Sequence, residues 1–164
     1  DRNYYHDHAL IIARHPSEND ARMMLRILAF ALNAHARLGF TKGLSSEDEP
    51  DLWQKSLSDE IELWIDLGQP DEKRIRRACG RADHVIIYTY NRSGAAAWWQ
   101  KMQGKLRRFS NLSIFNIDET TAASLAEFSQ RSMQLQFTTA DGVTLLSDGE
   151  QSLEITPMVV IQRQ

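Results

Sequence analysis

The 164 residues are 42% hydrophobic and 25% charged, with a net charge of −3. That is the size and make-up of one globular domain with a single sizeable core, and the charge balance gives no global reason for a nucleic-acid or membrane partner, so any basic surface has to be local. No run nears the roughly 18 consecutive apolar residues of a membrane span, and the single cysteine, Cys79, excludes an internal disulfide framework and points to a reducing, cytoplasmic setting.

In chain order, "YYHDHALIIAR" at 4–14 has helical apolar spacing and predicts a first helix. "HPSENDARMMLRILAFALNAHARLG" predicts a second, with Ser17 as N-cap, Asp20 in the capping-box place, Ala21, Leu25, Leu28 and Leu32 as the core stripe, and Gly39 as the stop. After an acid-rich link, "DLWQKSLSDEIELWIDLG" reads as a hairpin with arms Asp51–Leu57 and Glu60–Leu67 around a two-residue Ser58-Asp59 loop. Residues 71–81 predict a short helix, and "DHVIIYTY" a strand covered on both faces. "SGAAAWWQKMQGKLRRF" is read as helix, "LSIFNI" as a buried strand, and "TAASLAEFSQR" as helix. From Met133 the pattern partly alternates, with turn signals at Asp141-Gly142 and Asp148-Gly149, and reads as an antiparallel β tail. The sum is an α/β domain over residues 1–164: a mixed central sheet flanked by helices, with that tail added.

Chemical signatures are few. There is no glycine-rich phosphate loop, no paired C-x-x-C and no H-E-x-x-H; the histidines are scattered, and Cys79 sits among Ile75 and Ala82 as a packed thiol. The hairpin offers more. Its period of two puts Trp64 and Asp66 on one face, and the Ser58-Asp59 loop sets Asp51 across from Asp66 with Cβ atoms about 5 Å apart. Two facing carboxylates repel unless a proton or cation lies between them, which makes Mg²⁺ or Mn²⁺ the natural occupant; strand ends in screening water are the alternative reading. The next helix, "DEKRIRRACGR", carries Lys73, Arg74, Arg76, Arg77 and Arg81 behind Asp71 and Glu72. This order suits the helix dipole and would equally suit a phosphate backbone. Lys101, Lys105, Arg107 and Arg108 form a second basic cluster.

"ARHPSENDARMMLRIL", "DEPDLW", "IELWIDLGQPDEKRIRRAC", "IIYTYN" and "WWQ" together resemble the YaeQ family of bacterial proteins over essentially the whole chain. The resemblance implies a variant of the PD-(D/E)XK nuclease fold, the core of restriction-type endonucleases, and a further N-terminal β segment ahead of the residues seen here. The nuclease motif would fall on Pro50-Asp51 and Asp66-Leu67-Gly68. It implies Asp51 and Asp66 as Mg²⁺ or Mn²⁺ ligands with Glu18 as a third, although Glu18 is also placed for a helical ion pair with Arg22. Gly68 stands where the motif has its lysine, so Gln69 and Lys73, or Arg74, are the candidates to position water or phosphate. Arg74, Arg76, Arg77 and Arg81 are the candidate nucleic-acid contacts. Two functions are expected on this basis: a metal-dependent nuclease acting on phosphodiesters, or a catalytically degenerate nuclease fold that binds nucleic acid or a protein.

Overall fold

The structure is a computed structural model and describes residues 19–41, 48–90, 92–129 and 134–162. The helix expected at 4–14, Ser17, Glu18 and the segments 42–47 and 130–133 lie outside the described residues.

Helix α1 spans Asp20–Leu32, and Asn19 is its N-cap, its side chain accepting from the Arg22 amide at 2.8 Å. The helix does not run on to Gly39, as its spacing had implied. Asn33 closes it, donating its amide to the Phe30 carbonyl and its side chain to Ala29 O and to the Tyr88 hydroxyl. Beyond this cap lies a short strand, β1 (Leu38–Phe40), whose Leu-Gly-Phe alternation has the period of a strand. Strands β2 (Leu52–Lys55) and β3 (Ile61–Leu67) form the hairpin. Its loop is Leu57–Asp59 rather than Ser58-Asp59: the Ser56 amide bonds Glu60 O at 2.8 Å, and Asp59 takes the left-handed conformation at φ 68°. A bulge then restores the expected register, because Lys55 pairs with Ile61 while Gln54 pairs with Leu63.

Helix α2 (Glu72–Arg81), capped by Asp71, leads into β4 (Ala82–Thr89), and α3 (Arg92–Leu106) leads into β5 (Leu112–Asn116). Helix α4 (Glu119–Ala126), N-capped by Asp118, precedes a three-stranded antiparallel sheet of β6 (Gln136–Ala140), β7 (Val143–Ser147) and β8 (Ser152–Ile155). Asp141 and Gly142 both have positive φ, as a tight hairpin between right-twisted strands requires. The end of the chain does not stay with this sheet: β9 (Met158–Ile161) returns to pair antiparallel with β5. The main sheet is therefore mixed, in the order β1-β2-β3-β4-β5-β9, with parallel pairs only at β3/β4 and β4/β5.

Alternation along β3 and β4 divides the core. Ile65, Leu67, Ile86 and Tyr88 face α1, α4 and the small sheet, packing with Met24, Leu28, Leu125, Leu146 and Ile155. Trp64, Val85 and Ile87 face the other way, against Ile75 and Ala78 of α2 and Met102 and Leu106 of α3. Among the described residues no helix is long and apolar enough to cross a membrane.

Candidate functional site

The expected acids meet where β2 begins and β3 ends. The Asp51 amide donates to Ile65 O at 3.0 Å, carrying the hairpin ladder one residue beyond Leu52↔Ile65. Both side chains are buried, Asp51 at 4% and Asp66 at 3% exposure.

Both also hold arginines, one from each layer. Arg74 of α2 forks onto Asp66, Nε to Oδ2 at 2.9 Å and Nη2 to Oδ1 at 3.0 Å, and the Trp64 indole donates to Oδ2 at 3.0 Å. Arg22 of α1 sets Nη2 3.1 and 3.2 Å from the two oxygens of Asp51, whose Oδ2 also accepts the Leu67 amide at 2.8 Å. All four carboxylate oxygens thus have a donor. The Arg74–Asp66 pair is a planar fork, the strong bidentate form of a charge-assisted hydrogen bond, whereas Arg22 meets Asp51 through one nitrogen. Burial pushes the Asp51 carboxyl above its usual value and the Asp66 charge adds to that, against Arg22 and the Leu67 amide. At Arg74, burial opposes the charge, but the hydrogen bonds and charge of Asp66 outweigh it and hold the guanidinium still more firmly protonated.

As a cation site the arrangement is poor. Mg²⁺ needs octahedral oxygen ligation at about 2.0–2.1 Å, and here each carboxylate oxygen of Asp51 and Asp66 already faces an N–H. Among the described residues no group of three His, Cys, Asp or Glu is placed to share a metal ion. A divalent ion would have to displace guanidinium groups to reach Asp51 and Asp66. Gly68, at the position where the resemblance implied a motif lysine, has a backbone conformation of its own. Its φ is +98°, a conformation that L side chains rarely adopt, and its amide donates to Tyr88 O at 2.9 Å.

The remaining candidates separate into two groups. Gln69 is exposed on the turn after β3, and Lys73 and Arg76 are exposed on the outer side of α2. Arg74, Arg77 and Arg81 turn instead toward the chain before Asp51: Arg74 Nη2 donates to Glu49 O at 2.8 Å, Arg77 pairs with Asp48 at 2.7 Å, and Arg81 donates to Asp48 O at 2.7 Å. Arg81 also lies 5.1 Å over the Trp64 ring. Helical spacing contained this division, since Arg74, Ala78 and Arg81 follow one stripe while Lys73, Arg76 and Gly80 follow the next. No comparable signal joins Arg22 to Asp51, which are 29 residues apart.

Two other polar groups are structural in setting. His84 Nε2 lies 3.1 Å from Ser113 Oγ, but Ser113 is buried between paired strands and burial lowers the His84 pKa. Cys79 is half-buried, and burial pushes its thiol up to about 11, which keeps it protonated at neutral pH.

The segment that forms α2, β4 and α3 is strongly basic. Residues 71–108 hold ten Lys and Arg against three Asp and Glu, whereas the rest of the chain holds nine against nineteen. Lys73, Arg76, Lys101 and Lys105 are exposed and form no ion pair with another described residue. Glu72 pairs with Arg108 at 3.1 Å, and the Trp98 indole donates to Pro70 O at 2.8 Å, tying the two helices into one surface.

The family model described as YaeQ protein matches residues 1–157. The chain is 50% identical to a Salmonella typhi protein and 47% identical to an Escherichia coli protein, each described as "Uncharacterized protein YaeQ", over 94% of its own length and 86% of theirs. Among solved structures, the YaeQ protein from Xanthomonas axonopodis pv. citri superimposes with a TM-score of 0.94 at 41% identity, covering 98% of this chain and 90% of that one. The YaeQ protein from Pseudomonas syringae gives 0.87 at 30% identity, covering 93% and 84%.

Proposed function

The chain belongs to the YaeQ family, and on that premise we propose that it is a nuclease-like α/β domain, of the PD-(D/E)XK kind, that binds nucleic acid through the outer face of α2 and α3. The observation that carries this reading is the segregation of charge. A protein of net charge −3 places ten of its nineteen Lys and Arg within residues 71–108, and the exposed ones repeat along both helices of a single layer. Isolated exposed cations add little to stability, whereas a row of them on one surface attracts a phosphate backbone and releases its counterions.

Direct test is by fluorescence anisotropy with a labelled duplex DNA and a matching single-stranded RNA across a salt series. Affinity should fall steeply with salt, with a log–log slope of about −0.9 for each duplex phosphate neutralised. Replacing Lys73, Arg76, Lys101 and Lys105 together by Gln should weaken binding and flatten that slope while the melting temperature stays put. Binding that ignores salt, or the same binding by the quadruple variant, would sink the proposal.

The Mg²⁺- or Mn²⁺-dependent nuclease is the second reading, and the adjacency of Asp51 and Asp66 favours it. In that reading the two acids hold the ion with Glu18, and Gln69 or Lys73 positions the water. The bound ion supplies an activated water and charge stabilisation at the phosphate. Cleavage that needs a divalent ion and vanishes in Asp66→Asn would establish it over the binding module.

A further inference from the structure

We propose that Arg22 and Arg74 are the resident counter-cations of the Asp51–Asp66 pair, so that an electrostatic clamp across the sheet stands where a nuclease of this kind would carry its metal ion. The proposal concerns the acid pair alone and does not depend on whether the α2–α3 face binds nucleic acid.

Two buried carboxylates side by side need roughly two positive charges nearby, or a proton, to persist. The structure supplies both charges from the chain. Arg74 reaches Asp66 from α2 on one face of the sheet, and Arg22 reaches Asp51 from α1 on the other. Each guanidinium contributes N–H groups that a metal ion cannot, and each contact is anchored elsewhere: Arg74 also donates to Glu49 O, and Asp51 also accepts the Leu67 amide. The network therefore ties α1 and α2, from opposite faces of the sheet, to the point where the chain before β2 meets the end of β3. Its geometry is complementary in kind: Arg74 offers a fork to a carboxylate with both oxygens in reach, at 2.9 and 3.0 Å. A cation seated between the acids would take those same oxygens. Arginine and metal are alternatives at this point.

The alternation makes the proposal testable through a site that should appear only when arginine is removed. The probe is Mn²⁺, followed by the loss of its free-ion EPR signal, with thermal unfolding measured in parallel. Wild type should bind no Mn²⁺ at the acid pair, and its melting temperature should not respond to the ion. Arg74→Gln uncovers Asp66, and its melting temperature should fall by about 4–8 °C, the shift that roughly 2 kcal/mol gives a chain of this size. Millimolar Mn²⁺ should restore part of that loss, with about one ion bound per chain. Arg74→Lys keeps the positive charge without the fork, so it should lose less stability than Arg74→Gln and bind no Mn²⁺. The double variant Arg74→Gln/Asp66→Asn should neither bind nor respond to the ion.

Mn²⁺ bound by wild type and lost in Asp66→Asn overturns the proposal, since the ion would then displace the arginines. Arg74→Gln that is destabilised but indifferent to Mn²⁺ overturns it as well, because the arginine would then act by shape and not as a counter-charge. Should Arg74→Gln fold only when Mn²⁺ is present, the proposal is supported, and the wild-type titration remains an independent way to refute it.

Discussion

The two sides of α2 put the same residue types in opposite surroundings. On the inner side, Arg74, Arg77 and Arg81 each end on a partner within the fold: the Asp66 carboxylate, the Asp48 carboxylate and the Asp48 carbonyl. On the outer side, Lys73 and Arg76 stand in water, and Lys101 and Lys105 extend the row on α3. Of the inner contacts only Arg74–Asp66 is largely buried, while Arg77 and Arg81 make theirs at the surface, so the contrast in burial is sharpest between Arg74 and the outer cations. A buried ion pair is costly to break because the partner is left behind without compensation, whereas an exposed cation contributes little either way. Composition alone hides this, since the inner arginines and the outer Lys73 and Arg76 lie within nine consecutive residues.

The largest effect that would sharpen the comparison is at Asp66. Asp66→Ala leaves the Arg74 guanidinium and the Trp64 indole N–H without their acceptor in a buried place and should lower the unfolding free energy by about 3 kcal/mol. Lys101→Ala and Lys105→Ala should leave it within the error of a urea titration. If all three variants melt alike, the division between inner and outer charge has no energetic content.

Next in size is Gly68, at the same junction. Gly68→Lys puts a lysine where the nuclease motif has one, yet the backbone there has φ +98°. A non-glycine residue held in such a region costs about 1–3 kcal/mol. The added Cβ meets only the Tyr90 ring at 3.9 Å, so the loss would come from the backbone and not from a clash. The variant should therefore be destabilised without gaining divalent-dependent cleavage. Full stability would show that the turn relaxes easily and that glycine is not demanded by its geometry.

These sites also mark how far the sequence could be read. The register of the hairpin was legible, because burial on both sides of β3 fixes which residues face α2, and a one-residue slip would turn Trp64 and Asp66 over. The loop was not legible: Ser-Asp is a poor hairpin dipeptide, and a three-residue turn plus a bulge gives the same register as the expected two-residue turn. The long helix was overextended because its stripe ran to Leu32 and Gly39 was read as the stop, whereas capping by the Asn33 side chain ends the helix first. The departure of β9 from the β tail depends on pairing with β5, more than 40 residues away in sequence, and no local pattern encodes it. At the site, the acids could be found by spacing and Arg74 by its helical stripe, but Arg22 is joined to Asp51 only by the packing of α1 against the sheet.

The smallest effect tests how burial and Arg22 balance at Asp51, and it is read through pH. Burial pushes Asp51 above the usual carboxylate value of 3.8, with Arg22 opposing and Asp66 reinforcing the shift. The folded protein therefore keeps the Asp51 proton to a higher pH than the unfolded chain does. Between those two values the folded state binds more protons, so the contribution of Asp51 to stability declines as pH rises and levels off above the folded value. Asparagine cannot ionise and escapes that decline. In urea titrations from about pH 3.5 to pH 7, the stability of Asp51→Asn relative to wild type should move in the variant's favour as pH rises, on top of a constant loss from the poorer acceptor offered to Arg22 and Leu67. A difference that instead moves against the variant would mean that Arg22 and the Leu67 amide outweigh burial at Asp51.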